Sequence, residues 1–189
     1  MSLQATTWQT VGPYFHIGLA RLYEAEVAGE NIRGQRIQVR CRVVDGDLLP
    51  IPDAVVEIWQ ANADGKYAHP DDTQDTPQEP GFRGYGRIPT DENGCLQFST
   101  IKPGAVPGPD GKLQAPHLLV NVMMRGLLKG LVTRMYFADE PLNATDPILL
   151  LVDPARRATL LLNPVPGRPD VFAWEIHMQG DHETVFFEI

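Results

Sequence analysis

The sequence has few of the residues on which common catalytic and structural devices depend. Its two cysteines, Cys41 and Cys95, lie in stretches of alternating apolar and polar residues, which predicts buried, reduced thiols and excludes a disulfide framework. Its two serines, Ser2 and Ser99, lie outside any Gly-x-Ser-x-Gly motif, which argues against a serine hydrolase. Its five histidines form no HxH, HxxxH or HExxH pair, so the chain has no recognisable metal-binding motif.

The chain also lacks a basic cluster and a long apolar run. Its net charge is −8, whereas binding to phosphates needs clustered lysine or arginine, so no nucleic-acid partner is predicted. No apolar run approaches the roughly 20 residues of a membrane span. Residues 1–19 have neither the basic start nor the continuous apolar core of a signal peptide. We therefore expect a cytoplasmic protein without a membrane partner.

What the sequence does contain is a series of short alternating runs separated by turn residues. The 17 prolines and 17 glycines are spread along the chain, and Asp-Gly or Asn-Gly pairs stand at 45–46, 64–65, 93–94 and 110–111. Period-two alternation is typical of half-buried strands. It predicts strands at 37–45, 54–61, 95–101, 117–124, 131–137, 171–179 and 183–189. About seven or eight such strands, without long amphipathic helices, predict a mainly β fold: an antiparallel β-sandwich with short helices and long loops.

Two further segments have their own patterns. In 152–162, Asp153 is a typical N-cap and Pro154 suits the first helical position, so the sequence predicts a short helix. The segment 68–83 is polar, acidic and rich in proline, which is typical of a long surface loop. We interpret this loop as a solvated connector.

Five segments together resemble the intradiol aromatic ring-cleavage dioxygenases. They cover nearly the whole chain and stand in the order that the family has. They read QTVGPYFHIGL, VVEIWQANADGKY, FRGYGRIPTDENGCLQFSTIKPG, LVTRMYF and FAWEIHMQGDHETVFFEI. The resemblance implies one domain over residues 1–189, with a pocket and interface segment at 1–36 and a β-sandwich at 37–189.

The resemblance is weakest at the metal site. In the family's catalytic chains, two tyrosines and two histidines hold a ferric ion, one tyrosine in a PGxYP pattern and both histidines in an HxH. Here Val106 stands at the tyrosine position and Leu119 at the second histidine, and only His117 remains. A basic residue that precedes the HxH falls on Gln114, and residues 68–81 contain no tyrosine. The resemblance therefore implies that this chain holds no metal, and that His117 is a hydrogen-bonded strand residue.

The same resemblance implies a role beside a second chain. A homologous β subunit would hold the Fe(III), and this chain would complete the pocket for a small aromatic substrate and O2 in a hetero-oligomer of several α/β protomers. It assigns no catalytic residue to this chain, and it implies these pocket residues: Thr10, Gly12, Pro13, Tyr14 and Arg134. An acidic protein needs a local cation to bind an anionic substrate, and a guanidinium can bind a carboxylate through two hydrogen bonds.

Three alternatives stay open at this level. Arg134 could be an exposed strand residue in a surface ion pair. The whole chain could be a metal-free β-sandwich that acts as a binding or scaffold module. It could also be a self-sufficient dioxygenase with an altered ligand set, in which case the purified chain would contain iron and absorb visible light.

Overall fold

A computed structural model describes Thr10, Gly12, residues 14–108 and residues 111–188. Short helices are α1 (Tyr14–Ile17) and 3-10 turns at Ala20–Leu22, Pro141–Ala144, Leu149–Leu151 and Arg157–Leu160. The strands within the described residues are β1 (Arg36–Val44), β2 (Val55–Trp59), β3 (Tyr85–Pro89), β4 (Cys95–Ile101), β5 (Val106–Pro107), β6 (Leu113–Gln114), β7 (His117–Met123), β8 (Leu131–Phe137), β9 (Leu161–Val165) and β10 (Arg168–His177). The prediction of a mainly β fold with short helices is confirmed.

Eight of these strands form one continuous, strongly bent sheet. Their order is β3-β2-β7-β8-β9-β10-β1-β4, and β5 pairs with β6 in a separate hairpin. Most pairs are antiparallel, but β1 runs parallel to β10 and β8 runs parallel to β9. The β8–β9 contact involves only two residue pairs, so it joins two four-stranded halves that face each other as a sandwich.

The core fills the space between the two halves. One half contributes fully buried side chains such as Ile58 and Met135, and the other contributes Val39, Phe98 and Trp174. Alternation places these residues inward and their sequence neighbours outward. Both cysteines are free, as the sequence predicts, but only Cys41 is buried, and burial raises the pKa of its thiol. Cys95, at the start of β4, is half-buried, so the prediction of a buried thiol is wrong there.

The helix predicted at 152–162 is only partly correct. The Oδ1 atom of Asp153 accepts a hydrogen bond from the Ala155 nitrogen at 2.9 Å, which caps a turn rather than a helix. A short 3-10 turn follows at Arg157–Leu160, and the chain then extends as β9. Since β9 pairs with both β8 and β10, sheet hydrogen bonds and burial of Leu162 outweigh the local helical preference.

The strand predicted at 183–189 is absent from the described residues, where only an isolated bridge joins Phe187 to Val132. Conversely, β3 was not predicted, because Gly86 and Arg87 interrupt the apolar alternation. It forms by pairing along its whole length with β2. No helix in the described part of the chain is both long and apolar enough to cross a membrane. The expected cytoplasmic location and the division at residue 36 stay predictions.

Candidate functional site

The structure describes the predicted N-terminal pocket residues only in part. Thr10 is exposed and Gly12 is half-buried. Tyr14 begins α1. Pro13 and the side chain of Tyr14 lie outside the described residues, so the pocket role of this segment stays a prediction.

A part-buried ion pair between β2 and β3 contacts helix α1. The Arg87 side chain is only 7% exposed, and its Nη1 donates a hydrogen bond to Oε1 of Glu57. Its Nη2 donates to the carbonyl oxygen of Phe15 at 3.3 Å. Glu57 also accepts hydrogen bonds from the Tyr85 hydroxyl at 2.9 Å and from Asn121 Nδ2 at 3.1 Å. A hydrogen bond from Arg87 therefore ties α1 to β3, and Glu57 on β2 holds that arginine in place.

His117, Leu119 and Arg134 lie in two rows on the outer face of the β2-β7-β8 half, together with Trp59 and Tyr136. In the first row, Trp59, Leu119 and Arg134 are register partners on adjacent strands. In the second row, His117 is the partner of Tyr136. Residues two apart on a strand share a face, so both rows lie together and opposite the core. The two positions of the family's HxH pattern, His117 and Leu119, therefore lie beside Arg134 from the separate LVTRMYF motif.

Neutral groups hold the guanidinium of Arg134. Its Nη1 donates to Oε1 of Gln114 at 2.7 Å and to the hydroxyl oxygen of Tyr136 at 3.3 Å. The Tyr136 hydroxyl in turn donates to Oδ1 of Asp146 at 3.2 Å. No salt bridge to Arg134 is present among the described residues, so its charge has no direct carboxylate partner there.

Asp146 is a site residue that the sequence analysis missed. It is fully buried, and its Oδ2 accepts a hydrogen bond from the Ala115 nitrogen at 2.7 Å. Its Oδ1 accepts from the nitrogens of Ile148 at 2.9 Å and Leu149 at 2.7 Å. An aspartate before a proline commonly initiates a turn, and this was the available signal. Asp146 thus joins the start of β7, the 3-10 turn at 149–151 and Tyr136.

His117 is held as a neutral imidazole. Its residue exposure is 4%, and its Nδ1 lies 2.7 Å from the Ala115 carbonyl oxygen. Because a carbonyl only accepts, Nδ1 holds the proton and Nε2 holds the lone pair. Burial lowers the pKa of His117 to about 4, and the charge of Arg134 acts in the same direction. The sequence interpretation of His117 as a hydrogen-bonded strand residue agrees with this geometry.

The residues around His117 do not fit a ferric ion. Val106 is buried and Leu119 is half-buried, and neither has a donor atom. The pKa of Tyr136 is raised, mainly by burial, which keeps its phenol protonated, and the Arg134 guanidinium beside it would repel a cation. Across the described ranges, no group of three or more His, Cys, Asp or Glu side chains could hold a metal.

Tyr67 is a second residue that the sequence analysis missed, because it precedes the loop at 68–83. Its ring stacks on Trp59 with centroids 5.9 Å apart and an interplanar angle of 7°. The loop holds it there: the Tyr67 nitrogen donates to Oδ2 of Asp72 at 2.8 Å. The buried Lys66 ammonium donates to the carbonyl oxygens of Asp72 at 2.7 Å and Gln74 at 2.5 Å. The loop is therefore more than a solvated connector, because it positions an aromatic side chain.

Comparison with known proteins agrees with this fold. A family described as Dioxygenase matches residues 11–180. The chain belongs to this family of intradiol ring-cleavage dioxygenases, which confirms the resemblance seen in the sequence.

Individual relatives within the family have more specific names than the family itself. The chain is 37% identical over 202 residues to the protocatechuate 3,4-dioxygenase alpha chain of Burkholderia cepacia, covering 100% of this chain and 99% of that one. It is 42% identical over 130 residues to the beta chain from the same species, covering 68% of this chain and 55% of that one. Among solved structures, the dioxygenase domain of a carbohydrate-binding fusion protein from Streptomyces sp. SirexAA-E superposes with a TM-score of 0.64. That match has 26% identity and covers 84% of this chain and 88% of that one.

Proposed function

We propose that this chain is the alpha subunit of a protocatechuate 3,4-dioxygenase, and that it completes the substrate pocket of a homologous, iron-bearing beta subunit. The observation that carries the proposal is similarity over the full length to an alpha chain. The poor fit of the residues around His117 to a ferric ion supports it. The reaction opens the protocatechuate ring with O2 between the two hydroxyl-bearing carbons and gives 3-carboxy-cis,cis-muconate. The ferric chemistry belongs to the partner.

This chain's share of the reaction is to bind and orient the substrate. Protocatechuate is an anion, and the chain has a net charge of −8, so recognition needs a local cation. Arg134 supplies a half-buried guanidinium without a salt bridge among the described residues, which suits a carboxylate. The N-terminal segment that contains Thr10, Gly12, Pro13 and Tyr14 supplies a pocket wall in this proposal. The contact of Arg87 with Phe15 would hold that wall in place.

Expression of the chain with and without a beta chain tests the proposal. We expect the chain alone to contain no iron and to consume no O2 with protocatechuate. We expect the two chains to co-purify, with iron in proportion to the beta chain and with ring-cleavage activity.

Two results would contradict the proposal and favour the alternatives. Stoichiometric ferric iron and visible absorption in the single chain would indicate a self-sufficient dioxygenase. A monodisperse chain that does not associate with the beta chain would instead favour a metal-free binding or scaffold module.

A further inference from the structure

The hydroxyl of Tyr136 lies between the guanidinium of Arg134 and a buried carboxylate. It accepts a hydrogen bond from Nη1 of Arg134 at 3.3 Å and donates one to Oδ1 of Asp146 at 3.2 Å. Three backbone nitrogens also donate to this carboxylate, so the carboxylate is the acceptor and the hydroxyl is the donor. The hydroxyl oxygen therefore presents a lone pair to Arg134. Asp146 acts on the cation through a neutral group instead of pairing with it.

Both groups behind the hydroxyl are fixed in place. Asp146 is fully buried and is held by its backbone donors at the start of β7 and at the turn that follows β8. Tyr136 is also fully buried, and its ring packs against that of His117 with centroids 5.6 Å apart. A hydroxyl whose ring and acceptor are both fixed cannot follow a moving guanidinium. Its position therefore selects one orientation of Arg134.

A second acceptor holds the same nitrogen from the β5–β6 hairpin. Oε1 of Gln114 accepts from Nη1 of Arg134 at 2.7 Å. The amide itself is oriented, because its Nε2 donates to the carbonyl oxygen of Pro107 at 3.1 Å. Two acceptors on separate elements thus restrain rotation of the guanidinium. A side chain that is already ordered loses less entropy when it binds a ligand.

We propose that Asp146 and Gln114 are positioning residues for Arg134, and that Asp146 acts through the Tyr136 hydroxyl. They hold the guanidinium in one orientation before any ligand binds, and they leave its charge without a direct carboxylate partner. That the held cation then faces a substrate rests on the proposed function. The restraint itself is a property of this chain alone, so it can be tested separately.

Tyr136→Phe is the main test variant, because it removes the hydroxyl and keeps the ring. Asp146 retains its three backbone donors in this variant, so the turn at 149–151 keeps its anchor, whereas Asp146→Ala removes that anchor as well. The matched control is Thr100→Val on β4, in the other half of the sandwich. It also removes a fully buried hydroxyl, one that donates to Oε1 of Gln60 at 2.6 Å.

The first measurement is nitrogen-15 NMR of the arginine guanidinium groups in the purified full-length chain. The Arg134 signals are those that disappear in Arg134→Ala. We expect slow rotation about the Cζ–Nε bond of Arg134 in the wild type and in Thr100→Val. Loss of one hydrogen bond in Tyr136→Phe should speed this rotation about three- to tenfold, and Gln114→Met should act in the same direction. An unchanged rotation rate in Tyr136→Phe would overturn the inference.

The second measurement is kcat/KM in the complex with a beta chain. Tyr136→Phe should lower the value for protocatechuate about three- to tenfold, mostly through KM, and leave the value for catechol unchanged. In an Arg134→Ala background, the same change should have no further effect, because the side chain that it positions is gone. An equal loss in both backgrounds would indicate a merely structural role and would also overturn the inference. Thr100→Val should change neither value.

Failure of this inference and failure of the proposed function give different results. A wild-type complex without ring-cleavage activity rejects the proposed function, and the NMR comparison still decides whether Arg134 is positioned. An active complex in which Tyr136→Phe changes neither the rotation rate nor the preference for protocatechuate rejects the positioning role alone.

Discussion

Replacement of Asp146 by alanine should be among the most destabilising single changes in this protein. The carboxylate is fully buried and accepts four hydrogen bonds. The donors are the nitrogens of Ala115, Ile148 and Leu149 and the hydroxyl of Tyr136. Alanine removes every acceptor at once, and it leaves these donors in a part of the core that has 0% exposure at Ala115 and Tyr136 and 3% at Leu149.

The magnitude follows from the number of donors left unpaired. A buried donor without a partner costs roughly 1–3 kcal/mol, and Ile148, at the turn, can be hydrated more easily than the others. We therefore expect the Asp146→Ala variant to lose about 4 kcal/mol of unfolding free energy, which is large against the total stability of a single domain.

Urea denaturation followed by tryptophan fluorescence measures this loss. Asp153→Ala is the matched control, because Asp153 also accepts a backbone hydrogen bond, from Ala155 at 2.9 Å, but is exposed. The control should lose only about 1 kcal/mol. A loss below about 1 kcal/mol in Asp146→Ala, with an unchanged dependence on urea, would refute the reasoning that this carboxylate holds the turn and β7 together.

Other expectations follow from the same structure. In the complex with a beta chain, Arg134→Ala should lower kcat/KM for protocatechuate roughly ten- to 150-fold and spare catechol, which lacks the carboxylate; equal losses for both substrates would remove the recognition role. Arg87→Met should cost about 3 kcal/mol in urea unfolding because it leaves Glu57 without its cation, and the double change with Glu57→Gln should recover part of that cost; no recovery would contradict the pairing. For His117 the pKa falls from 6.5 unfolded to about 4 folded. The unfolded state therefore binds more protons, and stability should decline as pH falls from 6.5 to 4, by about 3 kcal/mol at most. His117→Gln should show a shallower decline over that range, and an equal decline would assign the acid sensitivity to other groups.

Local sequence patterns predicted most strands but not those that depend on their neighbours. The runs at 95–101 and 131–137 form β4 and β8 with the predicted bounds, because one face of each packs in the core and the alternation records that burial. At the start of β9, a helix-cap pattern and a run of leucines predicted a helix instead of a strand. The strand exists because two other strands offer hydrogen bonds on either side. No local pattern contains that information.

The site residues also fall into two groups: those that the sequence could identify and those that only the fold brings together. The sequence alone showed that Val106 and Leu119 stand at metal-ligand positions of the family. The identity of each residue is enough to show that its side chain has no donor atom. The alternation in the strand predicted at 131–137 is enough to put Arg134 and Tyr136 on one face, because side chains alternate with period two. It could not show that Tyr67 stacks over the same face, since a loop brings it there.

What the sequence by itself determined, then, is the family, the β-rich class and the loss of metal donors at two positions, all of which depend on residue identity and local periodicity. The tertiary structure decided which polar groups meet. Asp146 lies ten residues from Tyr136 along the chain and 31 residues from Ala115, yet its carboxylate bonds to both. A buried carboxylate must find donors wherever folding brings them, so its partners are fixed by the packing of strands and turns rather than by spacing along the chain.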